Sequence, residues 1–159
     1  MLDLAAYAAH PVHVAAVRAH VAPNALDATA VGWVNAAPIA SPVKPGSAVR
    51  LTLAKPKKRV TPAQIVETVT AATNRADEVL GANKVSFGLS FGENFSPERA
   101  KGYQFGMVAM FDSVEDLDAV EGNHKVLEAR ASVRALLLDD VLVLDFVVGP
   151  AADDASVRQ

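Results

Sequence analysis

The chain has 159 residues, of which 51% are hydrophobic and 21% charged, and its formal net charge is −3. This composition is typical of an ordinary globular protein with enough apolar residues for a real core. A net negative charge argues against nucleic acid as the main partner, because phosphate binding requires a basic surface. The sequence contains no cysteine, which excludes disulfide scaffolds, thiolate metal sites and thiol nucleophiles.

The sequence also bears on cellular location. No apolar run approaches the roughly 20 residues that span a bilayer, and residues Met1 to Tyr7 lack the basic start of a signal peptide. We therefore expect an intracellular protein that has no membrane partner. The cytoplasm is the predicted compartment and the peroxisome is the alternative, although the last three residues do not match a Ser-Lys-Leu address.

The first 46 residues predict little regular structure apart from one helix. Apolar residues recur at three- and four-residue steps between Leu4 and Val21, with an interruption at Pro11, so we expect a turn and then a helix that starts near Pro11. Residues 28–34 predict a weak strand. Three prolines within residues 36–46 then indicate a linker, with a domain boundary near its end.

A strand and a helix follow the linker. Apolar and polar residues alternate over residues 49–54, which is the two-residue period of a half-buried strand. Thr61, Pro62 and Gln64 then supply an N-cap, a proline for the first turn and a capping-box partner. Gly81 is expected to close this helix.

The next strand carries the clearest pattern in the chain. Its large apolar residues alternate strictly with glycine and serine, namely Val85, Phe87, Leu89 and Phe91 against Ser86, Gly88, Ser90 and Gly92. One face of the strand is therefore large and apolar, and the other is nearly bare. Residues 93–102 form a loop, and residues 103–111 predict a third strand that pairs with the second.

The glycines between residues 88 and 106 do not match a phosphate-binding loop. No Lys-Ser or Lys-Thr pair follows them at the required spacing, and they lie between two strands. We expect tight packing at Gly88 and turn conformations at Gly92 and Gly102.

The last helix and strand complete the pattern. Ser113 and Asp116 form a second capping box, which predicts one continuous helix through Ala131. Residues 141–148 are apolar on both faces apart from Asp145, as is typical of a strand in the interior of a sheet.

Asp145 is the charged residue of that apolar strand. An unpaired buried carboxylate is costly, so Asp145 requires a hydrogen-bond partner or a position at an edge. Arg50 and Arg134 are equal candidates for the partner.

These elements follow the order β-α-β-β-α-β over residues 46–150, which is the α+β, ferredoxin-like arrangement. A four-stranded sheet with its helices on one face leaves the other face uncovered, and a second sheet is its natural cover. We therefore expect a homodimer through the open sheet face, which we assign to Val85, Phe87, Phe105 and their neighbours. Residues 151–159 are predicted to form a polar, flexible tail.

Several segments of this domain resemble one known family. They are residues 92–99 (GENFSPER), 101–103 (KGY) and 140–146 (DVLVLDF). Here the chain is similar to the stress-responsive α/β-barrel (Dabb) domain family, most closely to the second domain of tandem plant proteins. The resemblance implies a dimeric α/β barrel and an association with stress responses.

The N-terminal segment resembles another part of the same family. Between Tyr7 and His13 it contains the pattern Tyr-x-x-His-Pro-x-His, which in the family marks the start of the last helix. A shift of 113 positions also lays Trp33-Val34 on Phe146-Val147. Residues 1–40 are thus predicted to be the C-terminal remnant of a first α/β-barrel repeat plus a linker.

The resemblance implies where chemistry could occur. The olivetolic acid cyclase of this family uses a tyrosine and a histidine of that pattern for acid/base work in an apolar cavity. In the complete domain these positions fall on Val120 and Val126, and neither side chain can transfer a proton. The family's other histidine corresponds to Arg50. His124 lies two residues from a matching position, and we interpret it as a surface or interface histidine.

Tyr7, His10 and His13 preserve the pattern, but the strands that would wall a cavity around them are missing from this chain. They are the catalytic candidates if the chain is an enzyme. Structural capping or simple inheritance is the favoured interpretation, and metal binding is a further alternative. The spacing of His10 and His13 is not the i,i+4 pair of a helical metal site, so we expect no metal.

The leading functional hypothesis is a non-catalytic, stress-associated dimeric domain that holds a small apolar ligand between sheet and helices, without a cofactor. The residues expected to contact the ligand are Phe87, Leu89, Tyr103, Phe105 and His124. The rival hypothesis is an enzyme similar to the polyketide cyclases or monooxygenases of this superfamily. A third is a truncated gene product with no independent role.

Overall fold

A computed structural model describes residues 4–35, 43–81 and 87–150 of the chain. Val85, most of the predicted linker and the predicted tail lie outside these described residues. The chain divides into two compact units, residues 1–30 and residues 31–159.

The smaller unit is helical. Helix α1 spans Leu4–Ala9, α2 spans Pro11–Ala16, and a π-helical turn follows over Val17–Val21. The imidazole Nδ1 of His10 accepts a hydrogen bond from the backbone N–H of Val12 at 3.3 Å and so caps α2. The helix predicted near Pro11 is present, and the preceding segment, which was expected to form a turn, is also helical.

Besides a 3₁₀ turn at Pro97–Arg99, the described residues of the larger unit form four strands and three α-helices. Their bounds are β1 Ala48–Pro56, α3 Pro62–Gly81, β2 Phe87–Glu93, β3 Phe105–Phe111, α4 Val114–Glu121, α5 His124–Leu137 and β4 Leu138–Val147. All neighbouring strands are antiparallel, in the order β2-β3-β1-β4. This is the expected α+β, ferredoxin-like arrangement.

The position of β4 differs from the prediction. This strand pairs with β1 on one side and forms an edge of the sheet, instead of lying in its interior. Apolar residues on both faces of a strand indicate that both faces need cover, and they do not specify how many neighbouring strands it has.

The register of the strands determines which side chains face the helices. Phe91 and Phe105 pack in one core cluster with Ile65 of α3, and Phe111 packs in a second with Leu117 and Val120 of α4. The face that bears Phe105 is therefore covered by helices of the same chain. The prediction that Phe105 lies on the dimer face was wrong, because Phe105 faces the helices and the open face of the sheet is the other one.

Local capping sets the start of each helix. Thr61 and Gln64 exchange the two hydrogen bonds of a capping box, at 2.9 and 3.3 Å. The single helix predicted after Ser113 is wrong, since α4 ends at Glu121 and α5 begins at His124. Asn123 between them causes the new start, because its side-chain oxygen accepts from the backbone N–H groups of Lys125 and Val126.

The cap of α4 provides the first test. The hydroxyl of Ser113 accepts a hydrogen bond from the backbone N–H of Asp116 at 3.1 Å, so Ser113→Ala should lower the free energy of unfolding by about 1 kcal/mol. Ser96→Ala is the matched control, because Ser96 precedes a short 3₁₀ turn and makes no side-chain cap bond. Urea unfolding measures both variants, and equal losses would contradict the capping role of Ser113.

Candidate ligand-binding site

A cavity of about 710 Å³ lies between the sheet and the helices. Its wall on the sheet side comes from residues of all four strands, and its helical wall comes mainly from α3 and α5. The apolar lining includes Ile65, Val69, Leu89, Phe105, Met107, Val126, Val133 and Val143. The volume falls in the range of roughly 300–1,000 Å³ that is usual for small-molecule sites, and the largely apolar lining is also typical of them.

Charged side chains at the cavity come mostly from α5. Lys125, Glu128, Arg130 and Arg134 line it and are exposed to solvent. An apolar interior combined with an exposed charged border suits a ligand whose body is apolar and whose polar end, if it has one, stays near water.

Arg50 is the charged residue of the lining that is buried. Its Nε and Nη2 atoms donate to the two carboxylate oxygens of Asp145, each at 2.7 Å, and Nη1 donates to Glu121. Arg130 donates to the same oxygen of Glu121. Arg50 lies directly opposite Asp145 in the pairing of β1 with β4. Of the two partners proposed for Asp145, the structure therefore selects Arg50.

This network favours the charged form of each of its members. The hydrogen bonds from Arg50 lower the pKa of Asp145, and the same pair raises the pKa of Arg50. Burial alone would raise the pKa of Glu121, but hydrogen bonds from Arg130 and Arg50 outweigh it and lower that pKa. Both carboxylates therefore stay ionised near neutral pH, and Arg50 stays charged.

The residues predicted to contact a ligand are not all at the cavity. Leu89 and Phe105 line it. Tyr103 lies elsewhere, with its hydroxyl 3.3 Å from Asp140 and the Lys55 ammonium 4.5 Å from the centre of its ring. His124 is exposed and lies 3.6 Å from Glu128. Phe87 lies in β2, where its side chain is outside the described part of the structure.

The candidate acid/base residues belong to the smaller unit. The rings of Tyr7 and His13 lie 4.5 Å apart, and His10 serves as the cap of α2. Val120 and Val126, at the two matching positions of the larger unit, both line the cavity. None of the described residues that line it is a histidine, tyrosine or cysteine.

Among residues 4–35, 43–81 and 87–150, no group of three or more histidine, aspartate or glutamate side chains is arranged to hold a metal ion. Within that same part of the chain, no helix is long and apolar enough to cross a membrane.

Comparison with known proteins identifies relatives of the sequence. A family model described as the stress responsive A/B barrel domain matches residues 48–148. Two Arabidopsis thaliana proteins, both described as stress-response A/B barrel domain-containing proteins, are each 31% identical to the chain, over 156 and 147 residues. The matches cover 98% and 92% of this chain but 58% and 65% of those proteins, so the chain spans less than two thirds of their length.

Solved structures are similar in fold. The hydroxynitrile lyase from Passiflora edulis has a TM-score of 0.56 at 17% identity, over 68% of this chain and 98% of that one. A dimeric ferredoxin-like protein of unknown function from Thermobifida fusca has a TM-score of 0.52 at 20% identity, over 70% and 99%. At these identities the likeness concerns the fold alone.

The Arg50 to Asp145 pair predicts a specific dependence on pH. Because the pKa of Asp145 is lower in the folded chain than in the unfolded one, the pair stabilises the fold above the unfolded value of about 3.9. That contribution is lost as the pH falls through the lowered pKa. Because the side chain of Asp145 is 42% exposed and water screens the pair, Asp145→Asn should cost no more than about 1 kcal/mol at pH 7. The difference from the native chain should shrink below about pH 4.

Urea unfolding at pH 7 and at pH 3 measures this difference. Asp118→Asn is the matched control, because Asp118 is exposed on α4 and outside the network. A loss for Asp145→Asn that is the same at both pH values would show that the charge of Asp145 is not what stabilises the pair.

Proposed function

Because the chain belongs to the stress-responsive A/B barrel domain family, we propose that it is a non-catalytic dimeric domain whose cavity holds a small apolar ligand. The observation that carries the proposal is the cavity between sheet and helices. An apolar space of this size is costly to leave empty or to fill with water, so a ligand that fills it stabilises the folded chain.

The chemistry of the lining supports binding without catalysis. Acid/base catalysis needs a group that exchanges a proton near neutral pH within reach of the substrate. Val120 and Val126 cannot do so, and the guanidinium of Arg50 is committed to Asp145 and Glu121. The likeness to a hydroxynitrile lyase supplies a rival enzymatic proposal, but it rests on shared fold, which does not determine activity.

The open face of the sheet supports the dimer. Leu144 and Phe146 project from β4 to the side opposite the helices of this unit, and they are 49% and 53% exposed. Large apolar side chains on an exposed sheet favour a partner surface of the same kind. Solved structures of the same fold are described as dimeric, and we propose that a second copy of this chain covers β4.

A pair of neighbouring alanines tests ligand binding. Ala72 lines the cavity from α3, whereas the adjacent Ala71 is exposed and outside the lining. Ala72→Phe fills part of the space, so it should abolish saturable binding of the neutral fluorescent probe 1-aminoanthracene, while Ala71→Phe should bind it like the native chain. At a probe concentration of 100 times Kd the native chain should gain about 2.7 kcal/mol of stability. Equal binding by the two variants would place the probe outside the cavity.

Val120 and Val126, at the two positions where the family pattern has a tyrosine and a histidine, predict no polyketide cyclisation. A linear tetraketide thioester incubated with the full chain should cyclise no faster than it does in buffer, because no proton-transferring group lies at the two valine positions. His13→Ala should leave that background unchanged. Product formation by the native chain that disappears in His13→Ala would establish catalysis and make Tyr7 and His13 the acid/base pair.

A further inference from the structure

The outer face of the sheet, opposite the helices, is uneven. Across the strands the register forms three rows, which are Gly92-Gly106-Leu53-Leu142, Ser90-Val108-Leu51-Leu144 and Gly88-Met110-Val49-Phe146. The β1 and β4 columns consist of aliphatic and aromatic residues. The β2 column consists of glycine and serine, so this part of the face is a shallow depression.

Trp33 fills the depression. Its indole lies so close to the sheet that a Cβ atom at Gly106 would be 2.5 Å from Cε3 and Cζ3 of the ring. The indole Nε1–H also donates to the hydroxyl of Ser90 at 3.2 Å. Val31 lies beside the ring, with its Cγ1 atom 3.2 Å from the same point at Gly106. A residue larger than glycine at position 106 would displace the indole.

The backbone around Trp33 runs along the edge of β2 that does not pair with β3. We call residues 31–35 the edge segment. The backbone N–H of Phe95 donates to the carbonyl of Gly32 at 2.9 Å, and the N–H of Gly32 donates to the side chain of Asn94 at 3.1 Å. The carbonyl oxygen of Val34 would lie 2.6 Å from a Cβ atom at Gly92. Within β2, the backbone N–H of Phe91 donates to the side-chain oxygen of Asn35 at 3.3 Å. The edge segment thus occupies a backbone group that an edge strand otherwise offers to another chain.

Exposed large side chains of the outer face lie on β4, at the edge opposite to the edge segment. Gly92 and Gly106 lie beneath Trp33 and are buried, as is Leu53 in the same row. At the other end of the rows, Leu144 and Phe146 of β4 are about half exposed. A shift of 113 positions in the sequence lays Trp33 on Phe146, so the exposed Phe146 is the counterpart of the docked Trp33.

We propose that the edge segment covers the β2 side of the outer face and its edge within the same chain, and thereby confines a second copy to the β4 side, where Leu144 and Phe146 are exposed. The proposal deepens the dimer of the proposed function and rests on it. Without the edge segment, the chain would have two association surfaces. A chain with two different surfaces can continue to add copies, whereas a chain with one self-complementary surface stops at a dimer.

Fluorescence of Trp33 tests whether the edge segment covers the β2 side, since Trp33 is the one tryptophan of the sequence. In the native full chain, its emission should be that of a shielded indole and should not change on dilution from dimer to monomer. The double variant Gly92→Ala, Gly106→Ala adds methyl groups where the backbone of Val34 and the indole lie. Its emission should shift to longer wavelength and become more sensitive to quenching by acrylamide.

Gly122→Ala is the matched control for the glycine changes. A Cβ atom there meets its nearest neighbour, the carbonyl oxygen of Asp118, at an ordinary 3.4 Å. This variant should keep the native emission. Far-ultraviolet circular dichroism establishes that all the variants are folded. Native emission in the double variant, or a native emission that moves to longer wavelength on dilution, would overturn the proposal.

Light scattering at protein concentrations of tens of micromolar tests whether the edge segment limits association to a dimer. The native chain should be a dimer, and Leu144→Glu should be a monomer, because it places a charge on the exposed β4 side. Leu136→Glu is the control, since Leu136 is 72% exposed on α5. The double glycine variant should form species larger than a dimer. When Leu144→Glu is added to the double glycine variant, the chain should still associate, because the uncovered β2 side remains available.

The outcomes separate the two proposals. A monomeric native chain would contradict the proposed dimer. In that case, association of the double glycine variant would still support the role of the edge segment, and a monomeric double variant would contradict it. The triple variant combines Gly92→Ala, Gly106→Ala and Leu144→Glu. If it stays monomeric although its Trp33 emission has moved to longer wavelength, the edge segment covers no docking surface. That result would overturn the proposal and leave the native dimer unaffected.

Discussion

The register of the four strands is the constraint on which the rest of the structure depends. Side chains alternate between the two faces of a strand, so a slip of one residue would exchange the two faces completely. In the observed register, Phe91 and Phe105 meet helix α3 on one side, and glycines 92 and 106 meet Trp33 on the other. Both the cavity and the proposed dimer surface follow from this division.

Features of the chain that depend on local sequence could be predicted. The capping box at Thr61 forms as expected, and at Ser113 the N-cap bond of the predicted box is present, because each requires residues only three positions apart. The strict alternation in β2 indicated the correct strand, but it could not say which face meets the helices, since that depends on distant residues. The break at Asn123 was missed because a single capping residue competed with an apolar period that continues across it.

The candidate site depended on contacts between residues far apart in sequence. Arg50 and Arg134 were equal candidates for Asp145 until strand order placed Arg50 directly opposite it. Trp33 was missed as a packing residue, although the bare face of β2 was visible in the sequence. A face of glycine and serine leaves space, and one large side chain elsewhere must fill it or the sheet loses packing contacts. For the same reason, Gly92 is explained by close approach and not by a turn.

The Arg50 network also limits what the cavity can hold. The side chain of Arg50 is 11% exposed and already binds both oxygens of Asp145. An acidic ligand that reached Arg50 would have to displace Asp145 or Glu121, which would leave a carboxylate without its partner beside an apolar wall. Binding at the apolar residues, with any polar end directed toward the exposed charges of α5, requires no such loss. The guanidinium of Arg50 is therefore not available to an acidic ligand, and this favours the apolar class of ligand that is proposed.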